Sequence, residues 1–334
     1  MDHFGQLLTA AITPFDSNGV METDTFWRLC KKLVGEGSDG IVLTGTTAES
    51  PNLTESDRLN IYSTAKDAVG DKSKLIAGTG TYSTKESIHF TKLAEEVGMD
   101  GIMIVTPYYN KPSQIGILKH FESIKNTTEL PIMAYNIPGR TGTLIELETI
   151  EKLIKDVGIH SIKDAVGNFD FSREELTRFK DDVFIYSGDD ALTKNFIENG
   201  AVGVVSVASH LVGRQIKEMI NLIFQNKKTE AENYNYIYLD NSMSMNTNGE
   251  NGNLLEIAAQ KIIENAPEKD KYSLLTNDEI RSNISKKELD ISLKNIKYTT
   301  NTTSYQDKIN TIQIVFFYES PPMVQTNMGV GGES

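Results

Sequence analysis

Residues 101–109 read GIMIVTPYY, a short apolar run that ends in polar and aromatic residues. The run is strand length, is rich in Ile, Val, Thr and Tyr, and does not alternate between apolar and polar positions. Continuous runs of this kind are typical of parallel β-strands that are buried on both faces. Eight such runs occur in the first part of the chain, at residues 7–15, 40–47, 74–80, 101–109, 131–138, 160–166, 183–188 and 203–209.

Amphipathic stretches separate the apolar runs. Residues 54–69 place Leu59, Tyr62 and residues 65–68 at three- and four-residue spacings, which indicates a helix with one buried face. Similar patterns occur at 84–97, 146–157, 190–199 and 212–225. Strict alternation of strands and helices predicts a parallel sheet, and eight repeats predict that the sheet closes into a (β/α)8 barrel.

An open, doubly wound sheet is the alternative architecture. Such a sheet normally has about five or six strands and a glycine-rich phosphate loop after the first strand. The first run of this chain ends in Thr13-Pro14-Phe15, which cannot form such a loop. We therefore predict an α/β fold of the TIM-barrel type.

The composition of the chain changes near residue 230. Residues 233–334 contain 14 asparagines in less than half the length of residues 1–232, which contain 11. We interpret residues 1–226 as the catalytic barrel and residues 227–334 as a C-terminal extension of uncertain structure. Within the extension, residues 254–264 have a helical pattern and residues 311–318 (TIQIVFFY) have a strand pattern.

Charge and composition exclude several kinds of partner and location. The net charge of −13 opposes binding to nucleic acid and to anionic membranes. No apolar run approaches the roughly 20 residues of a membrane span, and residues 1–15 lack the features of a signal peptide. Cys30 is the only cysteine, so no internal disulfide can form. These features predict a cytoplasmic protein.

Lys163 is the residue that most strongly suggests chemistry. It lies in the run 160–166 between apolar neighbours, inside a predicted barrel strand. Burial disfavours the ammonium form and lowers the pKa of a lysine, and a neutral amine is the nucleophile that forms a Schiff base with a ketone. The alternative is a lysine paired with an acidic neighbour such as Asp164.

Other polar residues follow the strands at the end of the barrel where active sites lie. Tyr135 could relay protons if Thr46 and Tyr109 hold its hydroxyl group, although a tyrosine at a strand end is often a packing residue. The guanidinium of Arg140 suits a substrate carboxylate, or else a surface salt bridge. The doublet Asp189-Asp190 begins a predicted helix, where helix capping is more common than metal binding. No two of the five histidines have metal-ligand spacing.

Five motifs together resemble the 4-hydroxy-tetrahydrodipicolinate synthase family, the pyruvate-dependent class I aldolases that include N-acetylneuraminate lyase. The resemblance covers about residues 7–213. The motifs are GTTAES at 45–50, TPYYNKP at 106–112, YNIPGRTG at 135–142, IKDA at 162–165 and SGDD at 187–190.

The resemblance implies a (β/α)8 barrel in which Lys163 forms an imine with pyruvate and no metal or organic cofactor is needed. It implies a proton relay of Tyr135, Thr46 and Tyr109, with Tyr109 reaching across from a neighbouring subunit of a dimer or tetramer. Contacts to the substrates are implied for four further residues. Thr47 would hold the pyruvate carboxylate, Arg140 the carboxylate of aspartate semialdehyde, and the backbones of Gly188 and Val205 would line the pocket.

The expected activity is therefore 4-hydroxy-tetrahydrodipicolinate synthesis from pyruvate and L-aspartate 4-semialdehyde, in lysine and diaminopimelate biosynthesis. Two alternatives remain open at this point. One is a sister aldolase or lyase acting on a 2-keto-3-deoxy sugar acid. The other is an inactive barrel that serves as a scaffold for the C-terminal segment, which lacks the Asn-Pro-rich motif that ends members of the family.

Overall fold

The computed structural model describes residues 2–225 without a break, together with short stretches of the C-terminal part. Those stretches are residues 235–238, 248–249, 252–253, 259–260, 262–264, 266, 271–275 and 280–295. All structural statements below refer to these residues. The predicted strand at 311–318 lies outside them.

Eight short parallel strands close into a barrel in which each strand pairs with the next along the chain. Leu8 on the first strand lies opposite Val205 on the last, which completes the ring. The prediction of a (β/α)8 barrel is therefore confirmed. The strands are β1 (Leu7–Ala10), β2 (Gly40–Leu43), β3 (Lys74–Gly78), β4 (Gly101–Val105), β5 (Ile132–Asn136), β6 (Ser161–Asp164), β7 (Phe184–Ser187) and β8 (Gly203–Ser206).

The strands are shorter than the apolar runs that predicted them. The runs at 7–15 and 40–47, for example, continue four or five residues beyond Ala10 and Leu43. A strand of four or five residues suffices to span the filled interior of such a barrel. The remaining residues of each run turn outward, so the polar residues at the run ends lie on loops at the mouth.

Helices surround the barrel and cover its outer face. They are α1 (Thr23–Gly35), α2 (Glu55–Val69), α3 (Thr84–Val97), α4 (Gln114–Lys125), the short α5 (Pro138–Thr141), α6 (Leu147–Lys152), α7 (Phe169–Phe179), α8 (Thr193–Glu198) and α9 (Ser209–Phe224). The helix predicted at 54–69 starts where its capping residues require, because the Thr54 hydroxyl accepts from the Asp57 amide and the Asp57 carboxylate accepts from the Thr54 amide. The helix predicted at 146–157 instead divides into α6 and a π-helical turn, Leu153–Val157.

Two apolar layers hold the barrel together. The outer layer packs strand residues such as Ile41 and Ile104 against helix residues such as Phe26 and Phe121. The inner layer fills the barrel itself with large side chains, including that of Met133. Because the interior is filled, we expect a substrate of the barrel to bind at the mouth, at the C-terminal ends of the strands.

The described part of the extension contains secondary structure of its own. Strand β9 (Asn235–Tyr238) pairs in parallel with β12 (Lys271–Leu275), and β12 pairs antiparallel with β13 (Ile280–Ser285). Helix α10 (Lys286–Lys294) follows β13, and a two-stranded ladder joins β10 (Asn248–Gly249) and β11 (Gly252–Asn253). Of the helix predicted at 254–264, residues 259–260 and 262–264 are helical.

In the part of the chain that the structure describes, no helix combines the length and hydropathy that crossing a bilayer requires.

Candidate active site

Lys163 lies inside the barrel on β6, and its side chain is 5% exposed. It is in register with Tyr135 on β5, so both side chains point to the same face of the sheet. The Nζ atom of Lys163 lies 4.1 Å from the centroid of the Tyr135 ring. The fold thus brings together the amine and the phenol that the sequence singled out.

The environment of Lys163 lowers its pKa to about 8 from the usual 10.5. Burial is the main cause, and the Arg140 guanidinium adds to it, whereas the Asp190 carboxylate acts in the opposite direction. At pH 7 roughly a tenth of the Lys163 side chains therefore carry a neutral amine, several hundred times more than for a lysine in water. This amine can act as a nucleophile near neutral pH.

Tyr135 is buried and keeps its proton. Burial raises the pKa of its phenol to about 12, despite the Arg140 charge and a hydrogen bond with Thr46 that both act to lower it. A neutral phenol next to an amine can donate a proton and take it back, provided that another hydroxyl group fixes its orientation. The bond with Thr46 supplies that orientation.

The chain after β2 bends sharply and so places Thr46 and Thr47 at the mouth. Thr44 adopts a left-handed conformation (φ 51°), and residues Thr46–Ala48 then form a 3₁₀ turn. The Thr44 hydroxyl donates to the Gly78 carbonyl (3.0 Å) and contacts the Tyr62 hydroxyl (3.1 Å). A non-glycine residue with positive φ is strained, and strain of this kind often marks a functional site.

Arg140 lies on α5, directly after β5, and its side chain is exposed. Its charge acts on both Lys163 and Tyr135, which places it near the pair. Tyr109 differs from these residues. It lies on the loop after β4, has φ 69° and is 93% exposed, so it does not pack inside its own barrel.

Gly188, which directly follows β7, borders Lys163. A Cβ atom on Gly188 would lie 2.8 Å from the Ala165 Cβ and 3.1 Å from the Lys163 Cε, so a side chain has no room there. Val205 is buried on β8 within the inner apolar layer. Gly188 therefore limits the space around the Lys163 side chain.

The family model described as the dihydrodipicolinate synthetase family matches residues 3–260. The chain belongs to the dihydrodipicolinate synthetase family. The family match extends beyond residue 213, where the sequence motifs end, and covers about three quarters of the chain.

Relatives in the dihydrodipicolinate synthetase family support the same conclusion. The 4-hydroxy-tetrahydrodipicolinate synthase of Desulforudis audaxviator (strain MP104C) is 47% identical over 218 residues, which are 65% of this chain and 74% of the relative. The crystal structure of dihydrodipicolinate synthase DapA-2 from Bacillus anthracis has a TM-score of 0.67 at 42% identity and covers 69% of this chain and 79% of that one. The chloride-inhibited dihydrodipicolinate synthase from Acinetobacter baumannii, complexed with pyruvate, has a TM-score of 0.67 at 30% identity, with the same coverage.

The sequence analysis did not predict the role of Asp190 at this site. Asp189 caps the turn Asp190–Leu192, since its carboxylate accepts from the Ala191 amide (2.9 Å), as expected. Asp190 instead accepts from the amides of Val207 (2.9 Å) and Ala208 (3.0 Å) on the loop after β8. Its second oxygen is buried without a hydrogen-bond donor, and its charge acts on Lys163. The sequence signal for this role of Asp190 was the Asp189-Asp190 doublet. One turn needs only one capping residue, so the second aspartate can bind elsewhere.

No cluster of three or more His, Cys, Asp or Glu side chains suited to a metal ion occurs among the residues described.

Proposed function

We propose that this chain is a 4-hydroxy-tetrahydrodipicolinate synthase, which condenses pyruvate with L-aspartate 4-semialdehyde through an imine on Lys163. The observation that carries the proposal is an amine inside the barrel, with its pKa lowered to about 8, against the ring of Tyr135. Membership of the family and the names of the relatives support the same activity.

Imine formation begins when the neutral amine of Lys163 attacks the keto carbon of pyruvate. The resulting carbinolamine loses its hydroxyl group as water and leaves a protonated imine. The departing hydroxyl needs a proton, and the phenol of Tyr135 can donate it because burial keeps the phenol neutral. Thr46, which is hydrogen-bonded to that phenol, continues the relay toward the mouth.

The protonated imine then withdraws electrons from the pyruvate methyl group. The methyl group loses a proton to the Tyr135 phenolate left by the preceding step and becomes an enamine. The enamine carbon attacks the aldehyde carbon of the second substrate, and the Tyr135 phenol returns the proton to the aldehyde oxygen. The amino group of the second substrate then attacks the imine carbon, which closes the ring and releases Lys163 as a free amine.

Arg140 is placed to bind the carboxylate of the second substrate with its guanidinium. Thr47 holds the pyruvate carboxylate, and Gly188 and Val205 line the space around the imine.

We assign Tyr109 to the relay of a neighbouring subunit, so that the enzyme works as a homo-oligomer, either a dimer or a tetramer. Its exposure of 93%, together with a left-handed backbone that a tyrosine rarely adopts, supports a contact outside its own chain.

The proposal also covers the domain organisation of the chain and the cellular role of the enzyme. Residues 1–226 form the catalytic barrel and residues 227–334 an extension. The enzyme acts in the cytoplasm, in lysine and diaminopimelate biosynthesis, without an added cofactor. The acidic composition and the single cysteine agree with this setting.

Reductive trapping tests the imine directly. The protein is incubated with pyruvate and borohydride and analysed by mass spectrometry. We expect an adduct of about 72 Da, the mass of pyruvate less water plus two hydrogens, on the peptide that contains Lys163 and not in the Lys163→Arg variant. A folded wild-type protein without an adduct would indicate the inactive scaffold instead.

A substrate comparison tests the second half of the reaction. Turnover with aspartate semialdehyde should exceed turnover with sugar-derived aldehydes. Arg140→Ala should reduce the use of the semialdehyde far more than the trapping of pyruvate. A preference for sugar-derived aldehydes would assign the chain to the sister aldolases.

A further inference from the structure

Two buried carboxyl groups lie directly behind Lys163. Successive strand residues point to opposite faces, so the side chain of Asp164 leaves the barrel interior and points toward the helices. There it meets Glu175 on α7. Asp164 is 1% exposed and Glu175 is fully buried.

The hydrogen bonds at this pair require a shared proton. The Oδ1 atom of Asp164 accepts from the Val166 amide (2.7 Å). Its Oδ2 atom and both carboxyl oxygens of Glu175 are buried and receive no N–H or O–H donor from the described residues. Two carboxylates cannot both be ionised in contact away from water, so one carboxyl must donate to the other.

Glu175 is the group that holds the proton. Burial raises the pKa of its carboxyl well above the usual range, and the neighbouring charge of Asp164 raises it further. Burial also raises the pKa of Asp164, but less, since the Val166 amide and Glu175 act against that effect. Asp164 is therefore the acceptor and Glu175 the donor.

Asp164 in turn connects this pair to the site. Its main-chain carbonyl accepts from the Gly188 amide (2.6 Å), and Gly188 is the residue packed against the Lys163 Cε. Its side chain fixes the Val166 amide, two residues beyond the end of β6. Asp164 thus holds the end of β6 through its carboxylate and the Gly188 turn through its main-chain carbonyl.

We propose that Glu175, as a neutral carboxylic acid, is a positioning residue for Lys163. It donates a hydrogen bond to Asp164, and through Asp164 it fixes the end of β6 and the Gly188 turn around the reacting amine. The role rests on the proposed function in one respect, namely that Lys163 is the nucleophile.

Replacement by glutamine and by leucine separates this role from simple packing. Glu175→Gln keeps a neutral donor of the same length, whereas Glu175→Leu keeps the apolar volume and leaves the buried Asp164 carboxylate with the Val166 amide but without a donor from α7. Glu174→Gln, on the exposed face of the same helix, is the matched control. For each variant, kcat, KM for pyruvate and the rate of borohydride trapping are measured at a temperature where circular dichroism shows the protein to be folded.

We expect Glu175→Gln and Glu174→Gln to remain within about threefold of wild type in kcat. Glu175→Leu should lose about tenfold or more in kcat and in trapping rate, while its KM for pyruvate changes less than about threefold. A folded Glu175→Leu variant with wild-type kcat, or a Glu175→Gln variant as slow as Glu175→Leu, would overturn the proposal.

Infrared spectroscopy gives a readout that does not need the leucine variant to fold. The difference spectrum of wild type minus Glu175→Gln at pH 7 should contain the C=O stretch of a protonated carboxyl group. Absence of that band would overturn the proposal even if the kinetics agreed. Failure of the proposed function is distinguishable, because wild type would then form no pyruvate adduct whether or not the band is present.

Discussion

Replacement of Lys163 by methionine should abolish imine formation and stabilise the protein at the same time. Methionine has nearly the length of lysine without its charge, so the barrel interior stays filled. The side chain of Lys163 is buried, and its pKa falls from 10.5 in the unfolded chain to about 8 in the fold. Protonated lysine is therefore less favourable in the native state than in the unfolded state.

The magnitude follows from that shift. About 2.5 pKa units at 1.36 kcal/mol each correspond to roughly 3 kcal/mol. A depressed pKa of a basic group destabilises the fold at every pH below the native value, and the penalty disappears as the pH rises from about 8 to about 10.5. The attraction between Lys163 and Asp190 is already contained in the native pKa, so no separate correction is needed.

Chemical denaturation of wild type and of Lys163→Met at pH values between 6 and 11 measures this effect. The variant should be more stable by about 3 kcal/mol at pH 7, and the two free energies of unfolding should converge above pH 10.5. The contributions of titrating groups that do not interact with Lys163 cancel in the difference. A variant that is less stable than wild type at pH 7, or a difference that does not depend on pH, would refute the argument that the fold lowers the pKa of Lys163 at a cost to its own stability.

Three further replacements test the surroundings of Lys163. Tyr135→Phe should slow turnover by about 10²–10⁴, as is usual for a proton-transfer group, with little change in melting temperature; an unchanged kcat would remove the phenol from the mechanism. Gly188→Ala should slow borohydride trapping at least tenfold, since the new Cβ would lie 2.9 Å from the Asp164 carbonyl oxygen and 3.1 Å from the Lys163 Cε; normal trapping would mean that the loop yields easily. Asp190→Asn should move the pH profile of trapping to lower pH, because the carboxylate raises the pKa of Lys163; a shift to higher pH would contradict that assignment.

The barrel could be predicted from the sequence because its signals are local. Each apolar run of six to nine residues is long enough for a buried strand, and several helices (α2, α3, α4 and α7) carry a capping side chain of their own. The alternation of eight such units leaves a closed parallel sheet as the simplest arrangement. The family resemblance agrees with the match over residues 3–260.

The lengths of the elements were less predictable. A run of apolar residues does not reveal where the chain leaves the sheet. Thr44 has a positive φ that ends β2, although its residue type fits a strand equally well, and Glu49 has a positive φ in the loop that follows. The π-helical turn Leu153–Val157 also continues the helical pattern of the sequence. In both places the packing of neighbouring elements decides the backbone conformation.

Among the site residues, Lys163, Tyr135 and Thr46 could be selected from the sequence because each follows or lies within a strand, and the ends of all eight strands meet at one mouth. Asp190 and Glu175 could not. Their partners, the Val207 amide and Asp164, are 17 and 11 residues away along the chain. An acidic residue on a helix gives no sign of whether it will face water or another carboxyl group.

The order of polar and apolar residues by itself determined that this chain builds a barrel with a lysine among apolar neighbours. Only the tertiary structure decided which groups surround that lysine. They are a tyrosine ring whose centroid lies 4.1 Å from its amine, a glycine with no space for a side chain, and a pair of carboxyl groups behind it. The reason is that apolar runs and helical periodicity are set by neighbours in sequence. A pKa depends instead on every charge and dipole that the fold brings within a few ångströms.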